Sequence, residues 1–389
     1  MHTDDERATK DKKVKVRVIM TSRKRKADLL LMAALVVATM AAVAAVAAVG
    51  TEALTPVAED PSLLLPPPRE EGARRDREMK FVFVKTHKTG SSTLMVMLGQ
   101  ALEKRGLYPA FGKVGPCLTC LAYPNEFTSP DQQLIGPAKT NFSAVLSHLR
   151  YTEASRATIA RYLGEDAPVF TLLRDPLTRF VSALRFFGFK QARQAGVDYH
   201  RMHDADMNLM LDLLQDKEFM SKSGKMFGGP AWLNYPTILG ITRMTDFPRA
   251  EFKREFDKAR RRIGLALITE EWHLSMALLR RYIGLDLGDF IWNNQKSHHR
   301  APLELSDKTR ARVREVLWME YEIYDYYRAE FAKLITPEIE QEAEIIKRHE
   351  EQYKQRCAEN IKHCVRREDD RPFFARRLED KEREFGRSE

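Results

Sequence analysis

Lys85-Thr86-His87-Lys88-Thr89-Gly90-Ser91-Ser92-Thr93 follows the apolar, β-prone run Phe81-Val82-Phe83-Val84 and precedes a helical pattern, Ser92 to Arg105, closed by Gly106. A turn between a buried strand and a helix aims unpaired backbone N–H groups and the positive end of the helix dipole at one spot, which makes an anion site. Gly90 lets the backbone come close to the anion. Ser91, Ser92 and Thr93 add hydroxyl donors, and Lys88 adds a point charge. The nucleoside-triphosphate loop G-x-x-x-x-G-K-[ST] does not match, because the lysine precedes the glycine and no first glycine exists. A Ser/Thr-capped helix after a strand gives the same short pattern, so this segment alone leaves the two readings level.

A second segment breaks the tie. Leu173-Arg174-Asp175-Pro176-Leu177-Thr178-Arg179-Phe180-Val181-Ser182 again runs from a strand, Val169 to Leu173, into a helix with Pro176 in its first turn. Arg174 falls at the carboxyl end of that strand, where open α/β sheets bind ligands. Ser182 lies on the same helix, and the two together grip a second phosphate by charge-assisted hydrogen bonds. The competing reading has Asp175 capping the helix and Arg179 in solvent. Two anion sites at separate strand ends fit a nucleotide carrying phosphates at both its 5′ and 3′ positions.

Outward from these segments, Ala144-Val145-Leu146 and Leu265-Ala266-Leu267-Ile268 read as further buried strands. A helix from Glu271 to Tyr282 ends at Gly284, and Ser306 caps a long helix from Asp307 to about Leu334. Alternating strands and helices predict an α/β fold with a central parallel sheet flanked by helices. The tyrosines Tyr321, Tyr324 and Tyr327 recur at helical spacing and read as core. Residues 336–389 are strongly charged and read as a helical appendage or a partly disordered tail.

At the two motifs the chain resembles the galactose-3-O-sulfotransferase family, within the carbohydrate sulfotransferases that use 3′-phosphoadenosine-5′-phosphosulfate (PAPS). The block FVFVKTHKTGSSTL looks like that family's 5′-phosphosulfate loop, and FTLLRDPLTRFVSALRFFG looks like its 3′-phosphate motif. Fainter echoes are Leu121 to Pro124, Ser147 to Tyr151 and Leu267 to Trp272, so the likeness covers roughly residues 80–335. The resemblance implies a P-loop-type sulfotransferase fold. It implies that Lys88, Thr89, Gly90, Ser91, Ser92 and Thr93 hold the phosphosulfate, and that Arg174 and Ser182 hold the 3′-phosphate. It also implies a galactose-containing glycolipid or glycan as acceptor, with PAP as product. In the related uronosyl 2-O-sulfotransferases, which share a similar layout, a histidine after the intervening strand is the general base, and His148 fits that place. A neutral imidazole suits the removal of a hydroxyl proton. His87, inside the loop, is the rival base, and Lys88 is the residue expected to stabilise the departing phosphate. The scheme requires no metal, and no metal-ligand motif of strong spacing appears. A uronosyl 2-O-sulfotransferase, a P-loop kinase or NTPase, and an inactive glycan-binding protein stand as alternatives.

The remaining features concern location. Leu29 to Val49 is a run of 21 residues without charge, long enough to cross a bilayer as a helix. Arg23-Lys24-Arg25-Lys26 lies just before it, which puts a basic tail (1–28) in the cytosol and the body of the chain in the lumen. A cleaved signal peptide is the competing reading, and the long basic n-region argues against it. The resulting expectation is a single-pass Golgi membrane protein with a proline-rich stem (50–79) and a lumenal domain (80–335). Of the chain's net charge of +9, residues 1–26 carry +6, so the positive excess sits beside the membrane segment and nucleic acid is disfavoured. Cys117, Cys120, Cys357 and Cys364 suit disulfides in a lumen, and one sequon stands at Asn141-Phe142-Ser143. The C-x-x-C pair at Cys117 and Cys120 also leaves redox chemistry or half a zinc site open. Asn293 to Arg300 reads equally as a loop closing over ligand or as a solvated polar loop.

Overall fold

The structure is a computed structural model that describes residues 79–110, 121, 126–129, 134, 142–187, 193–194, 196–198, 202–216, 234–241, 248–290 and 303–359. The segment 29–49, the side chains of all four cysteines, Asn141 and the polar run 293–300 lie outside the described residues. Among the described residues no helix is long and apolar enough to cross a membrane.

The strands are short and apolar apart from Thr171, whose hydroxyl donates to the Val84 carbonyl at 2.8 Å, because both faces of the sheet are covered. In chain order the elements are β1 (Phe81–Val84), α1 (Ser91–Glu103), β2 (Pro109–Ala110), β3 (Ala144–Val145), α2 (Glu153–Leu163), β4 (Val169–Leu173), α3 (Pro176–Phe187) and α4 (Asp204–Gln215). They continue as α5 (Asn234–Ile238), α6 (Arg249–Arg260), β5 (Leu265–Ile268), α7 (Trp272–Ile283), α8 (Asp307–Val316), α9 (Trp318–Lys333) and α10 (Pro337–Glu359). The sheet order is β2-β3-β1-β4-β5, and every pairing is parallel. Phe83 of β1 stacks on Phe170 of β4 with ring centroids 5.2 Å apart, fixing the centre of the core.

This order matters for function. The chain leaves β1 toward β2 and β3 on one side, and leaves β4 toward β5 on the other. The carboxyl ends of the adjacent strands β1 and β4 therefore flank a topological switch point, the usual ligand crevice of such sheets. The two sequence motifs are the segments that emerge there.

The predicted strands and the parallel sheet are present. β2 was not anticipated, since two residues carry no periodic signal. The single long helix expected after Ser306 is instead two. Ser306 does cap α8, its hydroxyl accepting from the Thr309 N–H at 3.3 Å. The chain then bends at Leu317 (φ −95°, ψ 27°), whose carbonyl accepts from the N–H groups of Glu320 and Tyr321 to start α9. The bend is bought by burial: Leu317 enters the core, and Glu320 becomes fully buried. Tyr321, Tyr324 and Tyr327 are buried as expected. α10 packs on α7 through Glu342, whose carboxylate receives Arg280 at 2.8 Å and Arg281 at 2.7 Å.

Candidate active site

Gly90 sits at the head of α1 in the left-handed conformation (φ 81°, ψ 1°), a region in which a side chain is strained. Its carbonyl accepts from the Thr93 and Leu94 N–H groups, which leaves the N–H groups of Ser91 and Ser92 in the first turn without a helical partner. Gly90 is exposed, and Ser92 and Thr93 are partly so. Lys88 also has positive φ (64°), and its ammonium lies 3.9 Å from the centroid of the exposed Phe186 ring.

Two of the predicted hydroxyls face inward. Thr89 is buried and pairs its hydroxyl with that of Thr86 at 2.8 Å. Ser91 donates to the Thr86 carbonyl at 2.5 Å. Thr86 in turn donates to the Leu172 carbonyl, stitching the loop to β4. These contacts shape the turn and engage the Thr89 and Ser91 hydroxyls within the protein, whereas Ser92 and Thr93 are partly exposed.

The second motif meets the first. Arg174, just past β4, points Nη1 at the Lys88 carbonyl (3.4 Å) and donates Nε–H to the Thr178 hydroxyl (3.2 Å). Thr178 and Ser182 are four residues apart on α3 and so share a face with Arg174. Asp175 caps α3 by accepting from the Thr178 N–H at 2.9 Å. Arg179, by contrast, is not in solvent. It is fully buried, 3.2 Å from Glu320, because its helix turns that face onto α9.

His148 lies beyond β3 and is buried. Its Nδ1 is 2.8 Å from the Lys85 carbonyl and its Nε2 is 2.7 Å from the Lys85 ammonium. A carbonyl only accepts, so Nδ1 carries the hydrogen and the Nε2 lone pair accepts from the lysine. The His87 ring stacks on His148 at 3.7 Å. Burial, then the Lys85 charge, holds His148 well below the ordinary histidine value. Burial followed by Lys85, Arg179 and Lys88 lowers His87 to about 3. Both imidazoles are therefore neutral near pH 7.

The free N–H groups at the head of α1, the cations of Lys88 and Arg174, and the face shared by Thr178 and Ser182 fit an elongated ligand with an anion at each end. A family model described as galactose-3-O-sulfotransferase matches residues 11–376, taking in both motifs. The chain belongs to the galactose-3-O-sulfotransferase family. It is 25% identical over 308 residues to galactose-3-O-sulfotransferase 3 of Bos taurus, covering 75% of this chain and 66% of that protein. To galactose-3-O-sulfotransferase 2 of Homo sapiens it is 24% identical over 250 residues, covering 63% and 58%. To galactosylceramide sulfotransferase of Mus musculus it is 24% identical over 285 residues, covering 71% and 62%. The chain thus spans 58–66% of the length of these relatives, less than two thirds.

In this galactose-3-O-sulfotransferase family member, several site-building residues escaped the sequence reading. Within the loop, Lys85 carries no pattern that marks its contact with His148. Thr269, at the end of β5, places its hydroxyl 2.7 Å from both the Thr89 and Leu173 carbonyls. Glu270 accepts from the Asp175 N–H at 2.9 Å. Tyr235 contacts the Arg174 backbone at both polar atoms. All act at long sequence separation, where spacing carries no signal.

Proposed function

We propose that this protein transfers a sulfuryl group from PAPS to the 3-OH of a galactose residue on a glycolipid or glycoprotein. The observation that carries the reading is the meeting of the two anion-binding segments at the β1/β4 switch point, with Arg174 reaching the Lys88 carbonyl. Family membership supports galactose over a uronic acid as acceptor.

PAPS supplies the sulfuryl group and, as PAP, the leaving group. The backbone of Thr89 to Ser92 and the hydroxyls of Ser92 and Thr93 hold the phosphosulfate end. Arg174 and Ser182 hold the 3′-phosphate. The galactose oxygen bonds to sulfur as the sulfur–phosphate oxygen bond breaks. Lys88 moves from Phe186 to neutralise the charge that develops on that oxygen. His148 takes the hydroxyl proton at Nε2. Because Nε2 meets the Lys85 ammonium at 2.7 Å, the acceptor must displace that ammonium. The span 29–49 anchors the chain in the Golgi membrane with the catalytic domain lumenal.

The test is incubation of the full chain with sulfur-labelled PAPS and a panel of galactose-terminated and uronic-acid-containing glycans. Label at a galactose 3-OH supports the proposal. Label on a uronic acid, or none on any glycan, refutes the acceptor assignment. Protease protection of the chain in sealed membranes tests its orientation.

A further inference from the structure

The strand β4 ends at Leu173, so the backbone N–H and C=O of Arg174 have left the sheet ladder. A single side chain takes over both. The Tyr235 hydroxyl accepts from the Arg174 N–H at 2.8 Å and donates to the Arg174 carbonyl at 2.5 Å. Those two groups flank the Arg174 Cα, so one phenol fixes both adjoining peptide planes. The residue's φ and ψ are set, and with them the direction in which the guanidinium leaves the backbone.

Tyr235 is itself immobilised. It is fully buried in the short helix α5, and its own N–H donates to Glu320 at 3.0 Å. Glu320 pairs with Arg179, which lies over the Tyr235 ring at 5.1 Å. The far end of α5 is tied to the segment between His148 and α2: the Ile238 carbonyl accepts from the Tyr151 N–H at 2.8 Å. Close behind it, a Cβ on Gly240 would come within 3.0 Å of Thr152, so the approach of this segment is tight. Burial raises the Tyr235 phenol well above its ordinary value, which keeps the proton it donates.

We propose that Tyr235 is a positioning residue for the 3′-phosphate subsite: its hydroxyl aims Arg174 and thereby sets the preference for a nucleotide that carries a 3′-phosphate. The proposal rests on the reading of Arg174 as the 3′-phosphate holder. A merely structural tyrosine would change stability and leave that preference alone.

The experiment measures dissociation constants of PAP and of AMP, which differ only by the 3′-phosphate, for the full chain and for Tyr235→Phe. Phenylalanine keeps the ring and its packing on Arg179. The expected result is an AMP-to-PAP ratio reduced by about tenfold in Tyr235→Phe, the size of one lost charge-assisted contact, with AMP affinity within about twofold of the parent. In an Arg174→Ala background, Tyr235→Phe is expected to change the ratio no further. An unchanged ratio in folded Tyr235→Phe overturns the proposal. Should that variant not fold, Glu320→Gln carries the test, since it loosens the anchor and leaves the hydroxyl. A reduced ratio supports the role of Tyr235, and an unchanged one overturns it. If the parent itself shows no preference for PAP over AMP, the reading of Arg174 fails first, and that outcome is distinct from a preference that Tyr235→Phe leaves intact.

Discussion

The guanidinium of Arg174 stands 3.4 Å from the carbonyl oxygen of Lys88, across the carboxyl ends of β4 and β1. The contact is long for a hydrogen bond, and its importance is positional. It places a cation from one motif against the turn formed by the other, although 86 residues separate them.

The turn itself requires glycine. Gly90 has φ 81°, and a Cβ there would meet no atom within 4 Å, so the cost of a side chain is conformational. Gly90→Ala is expected to lose about 1–2 kcal/mol of stability in urea titration and, on the proposed role of the turn, to weaken PAP binding. Unchanged affinity would remove Gly90 from the anion site.

On the proposed mechanism, Lys85 governs the basicity of His148, which it contacts through both its ammonium and its carbonyl. His148→Ala is expected to abolish sulfate transfer while retaining PAP binding. Lys85→Met removes one cause of the lowered His148 value, so that value rises toward the ordinary histidine range. The neutral form is the working form, and the acid limb of the pH dependence of kcat/KM is therefore expected to move to higher pH. A limb that stays in place would separate Lys85 from the base.

The same histidines set an acid limit on stability. In the unfolded chain they bind protons below about 6.5. In the folded protein His87 does so only near 3, and His148 also lies well below 6.5. The unfolded state binds more protons across that interval, so stability is full above pH ~6.5 and is lost as pH falls toward 3. Urea midpoints at descending pH are expected to drop over this window, and less steeply in His87→Phe.

Much of this architecture was legible in local sequence. β1 and β5 are uninterrupted apolar runs, β4 is broken only by the β-prone Thr171, and turn chemistry at Gly90, Pro176 and Gly284 marks their helices. The break at Leu317 was not legible, because a leucine inside an apolar-periodic run gives no stop signal. The solvated Arg179 of the competing reading fails for a related reason: its buried partner, Glu320, lies 141 positions away, and only the fold reveals it. Likewise, composition does not separate the inward-facing hydroxyls of Thr89 and Ser91 from the partly exposed Ser92 and Thr93.

That buried pair gives a stability prediction. Glu320→Ala leaves the Arg179 charge without its carboxylate in the core and is expected to cost roughly 3–5 kcal/mol in urea titration. Replacing both residues with apolar side chains of similar volume is expected to cost much less. Equal losses would mean that packing, not charge, dominates at this position.

The most direct test of the central claim is a crystal structure of the protein with PAP bound. The 5′-phosphate is predicted at the N–H groups of Ser91 and Ser92, and the 3′-phosphate at Arg174 and Ser182. A nucleotide lying elsewhere, or engaged at only one of these ends, would contradict the account.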